Sequence, residues 1–317
     1  MKVFFTILIS VFITVNLNAQ LYEVYSETSE IEHSFELFLK YEKKAAASYF
    51  DGDGNQVSEL DDSSFVFIDE HAEILPDYFK RQYIMDLNQH IVELSGIYHI
   101  NKEFKAYFAV PLLISTLDQR YKRQVFNNSE GSIIFPNVEK SAHSLTQIDY
   151  IALGGRYDIF KSVFLLGALA ELRVPAGGDK SVLIENNEFL SDGALELMAG
   201  LDMGINFGNS SLTVLGMYKY RAEELQNQFI INSKFSFSTV ENTAFNVYLD
   251  YTSPLERYPD YTFNILETPL QEEYLDGGVG FMFSMSRYIA EFQYKVRLYG
   301  TNSWLRSHFN LIFGYKF

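Results

Sequence analysis

The sequence predicts an all-β protein, a transmembrane antiparallel up-and-down β-barrel of about 12 strands with short turns at one end and longer loops at the other. Three observations lead there. The chain ends on HFNLIFGYKF, where Phe309, Leu311, Phe313, Tyr315 and Phe317 share one parity. His308, Asn310, Gly314 and Lys316 share the other, with Ile312 the only apolar residue in the polar set. That is the period of a strand with one oily and one polar face, and a strand running to the last residue needs a partner for its edge. Aromatic residues make up 16% of the chain, with 22 Tyr and 28 Phe against one Trp, an excess that suits aromatic girdles at two membrane interfaces. No segment offers the 18 or so consecutive apolar residues of a spanning helix, which excludes a helical membrane protein.

Residues 1–19 have the charged start, the apolar run from Val3 to Val15 and the small Ala19 of a secretory signal peptide, with cleavage expected before Gln20. The barrel is then residues 20–317. Cysteine is absent, so in an oxidising compartment stability rests on backbone pairing instead of disulfides. The net charge of −16 becomes −17 when Lys2 leaves with the signal, which argues against nucleic acid as a partner.

The first strand, 33–42, puts Phe35, Leu37, Leu39 and Tyr41 on one face, and the 47 residues 43–89 follow it. Within them DGDGNQVSELDD places Asp51, Asp53, Asn55, Glu59 and Asp62 at positions 1, 3, 5, 9 and 12 of a calcium loop. Position 6 is Gln56 where such loops turn on glycine, so the competing reading is a polar turn at the tip of a hairpin. Strands at 90–100 and 103–114 flank the turn INKEF, and 31 residues lead to strands at 146–157 and 161–173 around DIFK. A 20-residue loop precedes strands at 194–207 and 211–222 around FGNSS; strands at 229–239 and 243–252 follow around VENTA. After 22 more residues come strands at 275–285 and 288–299 around MSRY, and the last strand is 304–317. On the fourth strand Tyr157 is expected outward and Arg156 inward, which leaves Ile148 and Tyr150 inward unless a bulge intervenes.

Short turns on one side, long loops on the other, an even strand count and both ends on the short-turn side make the layout of a Gram-negative outer-membrane barrel. A soluble sandwich has no reason to sort its loops by length. In 288–299 the outward set is Tyr288, Ala290, Phe292, Tyr294, Val296 and Leu298, and the inward set is Ile289, Glu291, Gln293, Lys295, Arg297 and Tyr299. Such a polar run is costly in a dry core and suits a wet lumen. The last strand closes the cylinder against the first.

On these hairpins Arg173, Glu196 and Arg221 fall at one height near the outer ends of strands five, six and seven, and Asp276 lies across from Arg297. Lys295, Arg306 and His308 extend the basic patch toward the seam, with Lys40, Glu36 and Glu93 beyond. One reading is a charged constriction that selects what passes. The other is a salt-bridged ladder that satisfies the interior of a narrow barrel.

Two stretches echo each other, GIYHINKEFKAYFAVP at 96–111 and GRYDIFKSVFLLGALAELRVP at 155–175, each ending a rising strand on Val-Pro. Together with SYFDGDGNQV at 48–57 and RLYGTNSWLRSHFNLIFGYKF at 297–317, they resemble the outer-membrane family named for the MetA pathway of phenol degradation. That family sits within the long-chain fatty-acid and aromatic-hydrocarbon transporter superfamily. The resemblance implies a barrel that passes small hydrophobic or aromatic molecules, and no cofactor is expected. Phe317 preceded by Tyr315 and Phe313 also resembles the sorting signal read by the outer-membrane assembly machinery.

The expected function is therefore a passive transporter or narrow pore for a small-molecule solute. The alternative is a surface adhesin or scaffold acting through its acidic loops, and a lipid hydrolase is a distant third. Hydrolysis would draw on His143-Ser144 or on Ser307, His308 and Asn310, but adjacent residues on a strand point to opposite faces and cannot pair. Loops 43–89, 174–193 and 253–274 carry −13 of the −17. Such an acidic rim, beside outer-membrane lipid and lipopolysaccharide, is expected to collect divalent cations and to favour neutral or cationic solutes over anions.

Overall fold

Alternating sequence, with a wide apolar face and a polar one, becomes strand after strand in the computed structural model. It describes residues 34–50, 54–57, 60–64, 77–127, 132–133, 137–161, 163–177, 194–222, 227–240, 242–255, 273–301 and 303–317. The elements among these are β1 (Phe35–Phe50), β2 (Gln56–Val57), β3 (Leu60–Ser64), β4 (Asp77–His99), β5 (Phe104–Asn127), β6 (Ser132–Ile133), β7 (Asn137–Ile148) and β8 (Tyr150–Lys161). They continue with β9 (Phe164–Pro175), β10 (Glu196–Phe207), β11 (Ser210–Arg221), β12 (Gln228–Val240), β13 (Thr243–Pro254), β14 (Glu273–Met285), β15 (Tyr288–Thr301) and β16 (Ser303–Lys316).

Twelve of them form a closed antiparallel ring in the order β1, β4, β5, β8, β9 and on through β16, which returns to β1. The seam runs from Glu36 opposite Lys316 to Phe50 opposite Ser303, so the last strand does close against the first. All twelve expected strands are present. At the short-turn end Gly208 and Asn242 take φ of 65° and 68°, the left-handed conformation that a tight reversal demands. The INKEF turn is held instead by the Asn101 side chain, whose Oδ1 accepts from the backbone N–H groups of Glu103 and Phe104 at 2.9 and 2.7 Å.

Pairing runs further than expected at the other end. β4 and β5 are 23 and 24 residues long, and they stay in one register from His99 opposite Lys105 to Asp77 opposite Asn127. A tilted strand needs only about 9–11 residues to cross a bilayer. Parts of the expected loops 43–89 and 115–145 are therefore strand, and β3 and β7 flank β4 and β5 in a four-stranded sheet that continues beyond the ring.

Facing follows the expected parity over most of the wall. Leu39, Leu94, Leu153, Tyr157, Leu201, Val247, Phe281 and Phe292 are exposed on the outside, while Lys40, Glu93, Arg156, Asp202, Asn246 and Gln293 are buried inside. Two irregularities shift it. Leu112 pairs with Ile148 but Ala109 pairs with Ala152, so three residues around Asp149 oppose two on β5. This bulge turns Ile148 outward and leaves Tyr150 inward. The Asp149 backbone stitches the break, donating to the Pro111 carbonyl at 3.0 Å and accepting from Ala176 at 3.1 Å. The second lies on β15, where Leu275 pairs with Tyr299 and Asp276 with Arg297, leaving Leu298 unopposed. Tyr299, expected inward, is therefore exposed beside Leu298.

Candidate functional site

Inward positions on neighbouring strands at one level must meet, and β9, β10 and β11 show it. The register sets Glu196 opposite Arg173 on one side and Arg221 on the other. Glu196 lies 3.5 Å from the Arg173 guanidinium and 3.7 Å from Arg221 Nε, and it also pairs with Lys219. Arg173 Nε donates to Glu171 at 2.5 Å, and its guanidinium rests 4.7 Å from the centre of the Tyr150 ring.

Around the seam a second group forms. Arg297 clasps Asp276 through two hydrogen bonds of 2.8 and 3.2 Å and stacks on Tyr274. His308 lies between Asp276, at 3.6 Å, and Glu42, at 3.3 Å, while Lys40 and Lys44 reach Glu42 at 3.1 and 3.4 Å. Lys295 pairs with Asp250 at 2.7 Å, and Arg306 is half-buried two residues from His308 on its strand. Glu36 meets His99 and Lys316 near the short-turn end. The expected groupings thus come together, and they do so largely by pairing with one another. Mutual neutralisation is what makes so many charges tolerable in a narrow, poorly hydrated interior.

Two adjoining cavities lie among these groups. The larger, about 290 Å³, has a charged side at Arg173, Glu196 and Lys219 and an apolar side made by Leu169, Leu215, Met217 and Ile230. The smaller, about 140 Å³, shares Lys40, Glu42 and Lys44 with it and reaches Asp250, Lys295 and His308. Below them the lumen is filled. Phe38, Ile97, Tyr107, Met282, Ile289 and Ile312, with Ala244, form one apolar cluster on seven consecutive strands of the ring. On the neighbouring strands Arg156 bridges Asp158 and Asp202, both at 2.7 Å, with Lys105 on Asp158 at 3.2 Å. Gly167 leaves the space for this group, since a Cβ there would strike Asp202.

Sequence reasoning treated the inward face as wet and overlooked this filled layer. Its signal was present: Ile312 and Ile289 are apolar residues on an otherwise polar parity. Asn246 and Tyr248 show the same packing, both directed to the Glu291 carboxylate in full burial.

Of the calcium-loop residues, Asp51, Asp53 and Glu59 lie outside the described residues, as do 1–33, 178–193 and 256–272. Asn55 is exposed in the reversal that brings Val57 opposite Tyr49, and Asp62 sits on β3 opposite Arg81. No group of three metal-ligating side chains occurs among the described residues. His308 points into the lumen, so Ser307 beside it on the strand points away.

Outside, Phe313 and Phe317 are exposed, Tyr315 stacks edge-on against Phe317 at 4.8 Å, and Phe35 joins them across the seam at 5.8 Å.

No protein family and no curated protein matches the chain. Among solved structures it is similar to an outer membrane channel from Pseudomonas putida F1, at TM-score 0.59 and 13% identity over 91% of this chain and 97% of that one. Looser likenesses are the translocator domain of the autotransporter NalP from Neisseria meningitidis, at TM-score 0.42 and 12% identity over 94% of both chains, and the deltaS2S3 mutant of the TodX monoaromatic hydrocarbon channel. The latter aligns at TM-score 0.42 and 10% identity over 95% of this chain and 94% of that one. The fold is that of an outer-membrane β-barrel.

Proposed function

We propose that the chain is a passive outer-membrane transporter for small hydrophobic or aromatic molecules, placed in a Gram-negative outer membrane by a cleaved signal peptide. The observation that carries this reading is the 290 Å³ cavity inside the lumen, with an aliphatic side facing a self-neutralised charged one. It accommodates a body the size of one or two aromatic rings. The fold likeness to an outer membrane channel and the resemblance of the Val-Pro hairpins to phenol-pathway transporters support the same reading. On it, Arg173, Glu196, Arg221, Asp276, Lys295, Arg297, Arg306 and His308 line or brace the passage.

The test is accumulation of a labelled monoaromatic compound in vesicles carrying the purified barrel. Uptake above protein-free vesicles is expected, together with its loss in Leu215→Trp, which fills the cavity from β11. A folded barrel that accumulates no more than empty vesicles do would rule the reading out.

A surface role is the second reading, favoured by the sheet of β3, β4, β5 and β7 that continues past the ring. Loss of cell or matrix attachment on shortening β4 and β5 beyond residues 87 and 117, with the wall intact, would support it.

A further inference from the structure

We infer that the barrel's permeability barrier is the dry layer built on Phe38, Ile97, Met282, Ile289 and Ile312, and that this layer excludes water and ions while the charged groups above it do not select. The inference rests on the transport reading for its biological meaning, but the dryness of the layer is a property of the barrel alone.

The argument begins with parity. These side chains lie on the inward face, so the lipid accounts for none of them; facing a water-filled pore they would keep a large apolar area wet, which is unfavourable in proportion to that area. The structure avoids this by packing them together. Phe38 and Ile97 are each 1% exposed, and with Met282 and Ile289 they line neither cavity, while Ile312 closes the cluster against the smaller one. Glycines make room for the rings: a Cβ at Gly314 would strike Phe38, and one at Gly154 would strike Tyr107. On neighbouring strands lies the buried Arg156 group, whose cation is shared between Asp158 and Asp202.

A hydrophobic constriction blocks ions by keeping water out, since an ion must shed hydration that nothing in the layer replaces. An apolar solute faces no such cost. Met282, unbranched and adaptable, sits within the layer and can yield to it. The ladder of ion pairs above is then a lining, already neutralised, and the choice among solutes is made by hydrophobicity at the layer beneath.

The absence of native cysteine allows a direct test. Met282→Cys and Lys44→Cys, each alone in the folded barrel, are exposed to a small cationic thiol reagent from both sides. Lys44→Cys is expected to label and Met282→Cys to resist. Equal labelling rates would show a wet layer and overturn the inference. In planar bilayers the native barrel is expected to carry no steady ionic current and Phe38→Ser with Ile312→Ser to gain one. Steady current through the native barrel, or silence from a double variant that keeps its heat-dependent gel shift, would also overturn it. If the double variant does not fold, the cysteine pair decides. Failure of aromatic uptake with a resistant Met282→Cys would instead remove the transport reading and leave the dry layer standing.

Discussion

Arg156 holds two carboxylates at once, Asp158 and Asp202, and all three residues are buried inside the barrel. Arg156→Met would leave one or both buried charges without an adequate partner, a defect of about 3–5 kcal/mol. The expected result is a lower urea midpoint for unfolding in detergent, followed by circular dichroism, with partial recovery when Asp202→Asn is added; an unchanged midpoint would mean that the pair is dispensable. Asn246 teaches a related lesson. Read as lining a wet lumen, it and Gln293 would tolerate Arg; but Asn246 is fully buried, donates to Glu291 at 3.0 Å and neighbours the Tyr248 ring over Gly280. Asn246→Arg is therefore expected to impair assembly, and normal yield of heat-shifting barrel from that variant would contradict the packing described here.

On the strands, the outward face is the better-defined target. Phe292→Arg, Val247→Arg and Leu201→Arg each set a charge against lipid, a cost of about 2–4 kcal/mol near the midplane. Reduced folding yield in all three, measured by band shift, is the expected outcome; full tolerance would reverse the facing assignment. The bulge at Asp149 is a second element-scale device. It lets β7 keep its parity against β5 while β8 directs Ala152, Arg156 and Asp158 inward. Deleting Asp149 would remove the extra residue and still leave Ala152 opposite Ala109 and Arg156 opposite Lys105, so the facing of β8 is kept and only the break is closed. A heat-shifting barrel should therefore still accumulate from that deletion, and its absence would show that the Asp149 backbone bonds to Pro111 and Ala176 are needed to form the wall.

At the scale of the molecule, the closed ring leaves no open edge, and its outer band is apolar all round. The protein is expected in the outer-membrane fraction, with a band that shifts on heating. Recovery of the mature chain from the periplasm without detergent would defeat the barrel-in-membrane reading. Replacing Tyr315 and Phe317 with Asp should deplete it from that fraction, because the half-buried Tyr315 ring and the exposed Phe317 ring at the closing seam are the proposed sorting signal. Undiminished outer-membrane levels would deny them the role.

The sequence by itself determined the number of wall strands, the sense of the short turns, the closing seam and most of the facing. These follow from a period of two residues and from turn residues, which act within one strand or hairpin. It also placed Arg173, Glu196 and Arg221 at one height, since short turns tie neighbouring strands in register. The extra length of β4 and β5 was hidden because segments such as DQRYKRQ have the composition of a loop, and only pairing with β3 and β7 shows them to be strand. Tertiary structure alone decided whether the polar inward face is wet or packed. That depends on the radius of the closed ring and on side chains from strands far apart in the chain, such as Phe38, Tyr107 and Met282, meeting where no local pattern brings them together.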